Sequence, residues 1–177
     1  MKIFDMRFAG PGLMLLGVLA ALSVYLPGLQ GGFFFDDNPN IVLNPRVKVP
    51  DLSWESVRMA WSGGLAGQFG RPVSQVSFAI NYYFSGFNPY AFKLSNLVIH
   101  CLNGVLVYLL AWHVLDSLRS RLKSCHFGLY AALLASAWLL HPVQLTSVLY
   151  VVQRMTSLSA FFLLAALLLH IMTRRRT

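Results

Sequence analysis

Four long apolar runs, separated by polar stretches, set the first expectation for this chain. They cover about residues 8–29, 92–115, 127–140 and 155–173. Roughly 20 apolar residues in a helix cross the ~30 Å hydrocarbon core of a bilayer, so each run is predicted to be a membrane span, the third a short one. Lys2 and Arg7 ahead of the first run also give it the build of a secretory signal peptide. No small-x-small cleavage site follows Tyr25-Leu26-Pro27-Gly28-Leu29, and further spans come later, so the run is read as a retained span. The expectation is a single all-α integral membrane domain over residues 1–177.

Residues 30–91 form the one long stretch between spans and carry helical signals of their own. In Asp51–Trp61 the side chains of Trp54, Val57 and Trp61 fall at i, i+3 and i+7. Asp51 or Ser53 is placed to cap this short helix and Gly63-Gly64 to stop it. Its two indoles suit either the membrane interface plane or a packed face on the bundle. A second helix is predicted from Pro72 to about Phe84, with proline in its first turn and Gly86 past its end. The second span is unusual, because Lys93, Asn96, His100 and Asn103 share one helical stripe. Polar groups at that depth need partners, so the stripe must face protein or a wet cavity. Both helix–helix glue and the lining of a site fit that requirement.

Composition supports the membrane reading. The chain is 56% hydrophobic and only 11% charged, where soluble domains carry roughly 25% charged residues; its mean hydropathy is +0.60. The net charge of +8 does not point to nucleic acid, because the basic residues cluster at the ends of apolar runs. Lys2 and Arg7, then Arg119, Arg121 and Lys123, then Arg174-Arg175-Arg176 mark the cytoplasmic side by the positive-inside rule. Both termini and the loop 116–125 are therefore expected inside, with residues 30–91 outside, and a bacterial inner membrane is the expected location. Arg46, Lys48, Arg58, Arg71, Lys93 and Arg154 fall on the outer side, which long translocated loops tolerate. Cys101 and Cys125 have no second ligand at metal spacing.

The candidate chemistry gathers on the outer side. Asp36 and Asp37 stand side by side after Phe33-Phe34-Phe35, and they are two of only six acids in the chain. A plain Asx turn accounts for Asp37-Asn38-Pro39-Asn40 equally well. Arg71, His141 and Arg154 lie on the same side, and the stripe through Asn96 and His100 opens toward it. Carboxylates beside arginines suit transfer from a phosphorylated lipid, with an aspartate as general base and arginines on the leaving phosphate. For Arg71 a lipid headgroup is the simpler partner. A divalent ion on Asp36 and Asp37 is a further reading, although two carboxylates alone define a metal site weakly. No nucleotide loop, HExxH or Ser/His/Asp pattern occurs.

An ordered set of motifs then resembles the TMTC-like membrane proteins. These are Phe35-Asp36-Asp37-x-x-Asn40-Ile41-x-x-Asn44-Pro45, Arg71-Pro72-Val73-x4-Phe78-Ala79-x-Asn81-Tyr82, Asn96-Leu97-x2-His100-x2-Asn103, His141-Pro142-Val143-Gln144 and Tyr150-Val151-Val152-Gln153-Arg154. The resemblance covers nearly the whole chain. It implies the N-terminal part of a GT-C-type glycosyltransferase fold, which in that family continues into more spans and tetratricopeptide repeats. It also implies transfer of a sugar from a polyprenyl-phosphate carrier to a protein or glycan acceptor at the outer face. The base or metal-contact role of the first outer loop carries over to Asp36 or Asp37, without separating the two. His100 and His141 match family positions with no role attached. Because a GT-C site draws on later spans, the resemblance also implies a membrane partner or further chain to complete it. The competing expectation is a non-catalytic four-span scaffold, or a shortened inactive relative, docking on other helices through Asn96, His100 and Asn103.

Overall fold

A computed structural model describes residues 9–65, 70–118 and 126–174, and these are helical, without strands. The basic clusters Lys2/Arg7, Arg119/Arg121/Lys123 and Arg175/Arg176, and Cys125, lie outside the described residues. Helix α1 (Ala9–Tyr25) runs on through a 3₁₀ turn, Leu26–Gln30. Two helices follow in the long connecting segment, α2 (Trp54–Trp61) and α3 (Pro72–Ser85). The bundle is completed by α4 (Pro89–Ser117), α5 (Phe127–Leu139), the one-turn α6 (Leu145–Leu149) and α7 (Arg154–Arg174).

Three helical stretches are long and apolar enough to cross a membrane: Ala9–Gln30, Pro89–Ser117 and Val151–Arg174. The third apolar run takes a different course. Phe127–Leu139 is followed, after a 52° bend, by Pro142–Leu149, and the pair makes a fourth span if counted as one broken crossing. The physical reason is Pro142, which has no N–H to continue the helix. His141 covers the restart, its Nδ1 accepting the Val143 N–H at 3.2 Å.

Small residues set how closely the spans approach. A Cβ on Gly10 of α1 would stand 2.7 Å from the backbone of Gly128 in α5, and one on Gly104 of α4 would stand 2.5 Å from Leu139. Backbones meet this closely where van der Waals packing and small side chains drive helix association. α5 thus packs between α1 and α4, and α7 lies along α4.

A second core fastens the connecting segment to the bundle. Ile41 and Val47 bury against Phe78 of α3, Phe92 of α4 and Met155 of α7. α2 packs on α3 through Ala60 against Ala79. Its face toward the protein is therefore small, with Ser56 and Ala60 buried, while Trp54 is 80% exposed and Trp61 54% exposed. Ser53 caps α2, its Oγ accepting the Ser56 N–H at 3.3 Å.

Candidate functional site

The adjacent acids occupy opposite environments. Asp37 is wholly buried. Its Oδ2 accepts the Phe34 N–H at 3.0 Å, closing a tight turn, and its Oδ1 accepts the Val152 N–H at 2.7 Å. Burial pushes the Asp37 carboxyl above the ordinary aspartate value; the backbone donors and the nearby Lys93 ammonium pull the other way. Asp36 is exposed. Its backbone N–H donates to the Tyr150 hydroxyl at 3.1 Å and its carbonyl accepts the Asn40 amide at 2.9 Å, so the main chain is held while the carboxylate stays at the surface. Between Phe34 and this pair, Phe35 sits at φ +41°, a left-handed conformation that a bulky side chain adopts only when its surroundings impose it. Beside Asp36 lies an apolar groove of about 360 Å³ lined by Phe34, Phe35, Leu145, Thr146, Leu149 and Tyr150.

The polar stripe of α4 is buried within the chain, and three of its four side chains serve backbone at or beyond helix ends. Lys93 Nζ donates to the Gly31 carbonyl at 2.8 Å. The Asn96 amide reaches the carbonyls of Val148, Tyr150 and Val151 at 3.2 to 3.4 Å. His100 Nε2 lies 3.0 Å from the Leu139 carbonyl, which the break before Pro142 leaves without a helical donor; the ring stacks on Trp138. Asn103 donates to the Ser157 carbonyl at 2.9 Å. Unpaired carbonyls in hydrocarbon are costly, and Asn96 and His100 supply the donors that the bent stretch lacks, while Lys93 serves the end of the α1 extension and Asn103 a carbonyl within α7. The stripe therefore has no free surface on which another helix could dock.

Arg154 opens α7 from a fully enclosed position. Nε donates to Asn96 Oδ1 at 2.8 Å, Nη2 to the Phe92 carbonyl at 2.8 Å, and Nη1 to the Ser77 carbonyl at 3.1 Å. Phe78 and Phe92 lie over the guanidinium at 4.8 and 5.6 Å. Arg71, by contrast, is exposed at φ +48°, with Nη1 3.4 Å from the Met155 sulfur. His141 is exposed at the bend. The structure thus joins Asp36, Asp37 and Tyr150 on one side and Asn96 with Arg154 on the other, linked through Val151-Val152. Among the described residues, no hydrogen bond ties Arg71 or His141 to the acids.

Tyr150 and Ser77 escape sequence reading, since each acts on a partner far along the chain. The place of Tyr150 at the head of the Tyr-Val-Val-Gln-Arg motif is the signal that could single it out. The donor set does not fit a divalent ion: both Asp37 oxygens face backbone N–H groups, the Asp36 carboxylate lies against the Tyr150 hydroxyl, and no three His, Cys, Asp or Glu side chains converge among the described residues.

Fold and site define an all-helical integral membrane protein with three or four candidate spans and a polar, largely hydrogen-bonded end. The chain is a distant homologue of the TMTC protein O-mannosyl-transferases, the similarity falling in their N-terminal region. It is 31% identical over 166 residues to mouse Protein O-mannosyl-transferase TMTC1, covering 90% of this chain and 16% of that protein. It is 31% identical over 160 residues to human Protein O-mannosyl-transferase TMTC4, covering 84% and 21%. With Protein O-mannosyl-transferase F38B6.6 of Caenorhabditis elegans the values are 29% over 173 residues, 92% and 24%. The chain thus spans about a sixth to a quarter of the length of these relatives. No family model and no solved structure matches it.

Proposed function

We propose that this chain carries the acid-bearing part of a membrane glycosyltransferase that moves a sugar from a polyprenyl-phosphate carrier to a hydroxyl of a protein or glycan acceptor. The observation that carries the reading is the split between the two acids. Asp37 is spent on the Phe34 and Val152 amides, whereas the Asp36 carboxylate is exposed on a main chain held at both its N–H and its carbonyl. In this reading Asp36 is the general base, taking the acceptor hydroxyl proton as its oxygen bonds to the sugar carbon and the bond to the carrier phosphate breaks. Asp37 is a positioning residue. Arg71, an exposed cation, holds the departing phosphate, and the groove beside Asp36 takes the apolar carrier. The relatives named as O-mannosyl-transferases support a mannose donor and a hydroxyl acceptor.

The reading places residues 30–91 on the outer face, both termini in the cytoplasm, and residues 1–177 in one membrane domain; a bacterial inner membrane suits it. Further spans, in the same polypeptide or a partner, complete the site. The test is transfer from a polyprenyl-phosphate mannose to a Ser/Thr acceptor peptide, in the native membrane. Asp36→Asn is expected to lower kcat by about 100-fold or more, with insertion and thermal stability unchanged. Full activity of that variant would overturn the assignment.

A further inference from the structure

Arg154 is 1% exposed, inside the candidate span Val151–Arg174, and among the described residues no carboxylate forms a salt bridge with it. Its N–H groups meet neutral acceptors, the Asn96 amide oxygen and the Phe92 and Ser77 carbonyls, and its faces meet two phenyl rings. Such partners satisfy hydrogen bonds but leave a whole positive charge uncompensated, the costly condition for an ion away from water.

Arg154 forms part of the wall of a cleft of about 320 Å³ between α3 and α4. Ser77, Asn81 and Ser95 supply its other polar groups. The Ser77 and Ser95 hydroxyls donate to carbonyls of their own helices, those of Ser74 at 2.7 Å and Ala91 at 3.1 Å, and the Ser77 oxygen also accepts from Arg154 Nη1 at 3.3 Å. Rotation about χ1 releases such local bonds for another acceptor. The Asn81 side-chain amide makes no hydrogen bond among the described residues. From the cleft, Val98, Leu102 and Val105 continue at spacings of four and three along one face of α4, exposed by 51, 47 and 38%. That is an apolar track leading from a polar, cationic pocket along a membrane helix.

We propose that the α3–α4 cleft binds the phosphate of an anionic membrane lipid. Asn81, Ser77 and Ser95 donate to the phosphoryl oxygens, Arg154 behind them supplies the missing counter-charge, and the chain of the lipid lies along Val98, Leu102 and Val105. The inference does not depend on the transferase reading, since a phosphoryl lipid can be structural or a carrier.

The experiment is native mass spectrometry of the full chain extracted from nanodiscs containing phosphatidylcholine alone, or with phosphatidylglycerol or undecaprenyl phosphate added. Anionic lipid should be retained at least tenfold over phosphatidylcholine. Asn81→Leu and Ser95→Val, which fill the cleft without touching the buried guanidinium, should each lower retention roughly tenfold, the loss of one charge-assisted hydrogen bond. Retention of phosphatidylglycerol identifies bulk phospholipid as the occupant, and retention of undecaprenyl phosphate alone identifies a carrier lipid. Equal retention of phosphatidylcholine and the anionic lipids, or undiminished retention in both cleft variants with helix content intact, overturns the proposal. Arg154→Gln is a third arm where it inserts; the cleft variants decide the matter where it does not.

Discussion

Replacing Asp37 by alanine should loosen the connection between the long segment and the bundle, while the same change at Asp36 should not. The wild-type carboxylate accepts from Phe34 and Val152 and lies near the Lys93 ammonium. Hydrogen bonds to a charged group contribute about 1.5–3 kcal/mol each, and an orphaned buried donor costs ~1–3 kcal/mol. The Val152 N–H is buried and would be orphaned, whereas Phe34 is exposed and its N–H can turn to water. The desolvation that raises the carboxyl pKa offsets part of the gain. About 3 kcal/mol of local stability is therefore at stake, which is roughly a 100-fold change in an opening equilibrium. Asp37→Asn keeps one acceptor oxygen and should lose about half as much on the same basis. Asp36→Ala removes an exposed side chain and should stay within ~0.5 kcal/mol. Hydrogen exchange in nanodiscs reads this directly, over peptides covering residues 33–42 and 148–156. Asp37→Ala should speed exchange in both peptides together, because one carboxylate ties them. Wild-type exchange in Asp37→Ala, or equal acceleration by Asp36→Ala, would refute the division of roles.

Two further outcomes follow from the same contacts. With its pKa raised chiefly by burial, folded Asp37 holds its proton more tightly than the unfolded chain does. The extra stability linked to that proton is then full below the ordinary aspartate value and is lost as pH rises through the raised one, leaving above it the hydrogen-bond contribution net of desolvation; a carboxyl titration by infrared or NMR should place the midpoint above that ordinary value, and a midpoint at or below it would contradict the burial. Gly10→Val would drive a side chain into the Gly128 backbone and should cost about 1–3 kcal/mol by overpacking, seen as a lower melting temperature in detergent. Gly12→Val, with nothing within 4 Å, is the control and should melt nearly as wild type.

What was legible in the sequence is what depends on local period and local chemistry. The α3 bounds follow from Pro72 and Gly86, and the α4 stripe follows from helical spacing, so both are read correctly from neighbours alone. The third span reads from the sequence as a short crossing that ends near Leu140; the bent continuation Pro142–Leu149 was not foreseen, because its place depends on how the helices around it pack. The division between Asp36 and Asp37 was not legible. It is decided by Val152 and Tyr150, which lie 115 and 114 residues further along. Nor could charge alone separate Arg71 from Arg154. One is exposed on a left-handed backbone and the other is enclosed by Asn96, Phe92 and Ser77, and only the approach of α3 and α4 distinguishes them.

The irregular stretch from Leu139 to Arg154 explains why those distant contacts converge. Backbone that leaves the helix near the hydrocarbon must have its carbonyls and N–H groups met by protein. Here His100 serves Leu139, Asn96 serves Val148, Tyr150 and Val151, and Asp37 serves Val152. Two of these groups come from α4 and the third from the long segment, so one set of bonds both permits the break and fixes the register of α4 and that segment against it. Asp36 inherits that rigidity through a single residue, since Asp37 is pinned beside it and Tyr150 of the broken stretch holds its N–H. An exposed carboxylate on an otherwise mobile loop would have no defined position. This one is carried by the bonds that hold the bent stretch between α5 and α7 in place, which is the support the proposed role of Asp36 as base calls for.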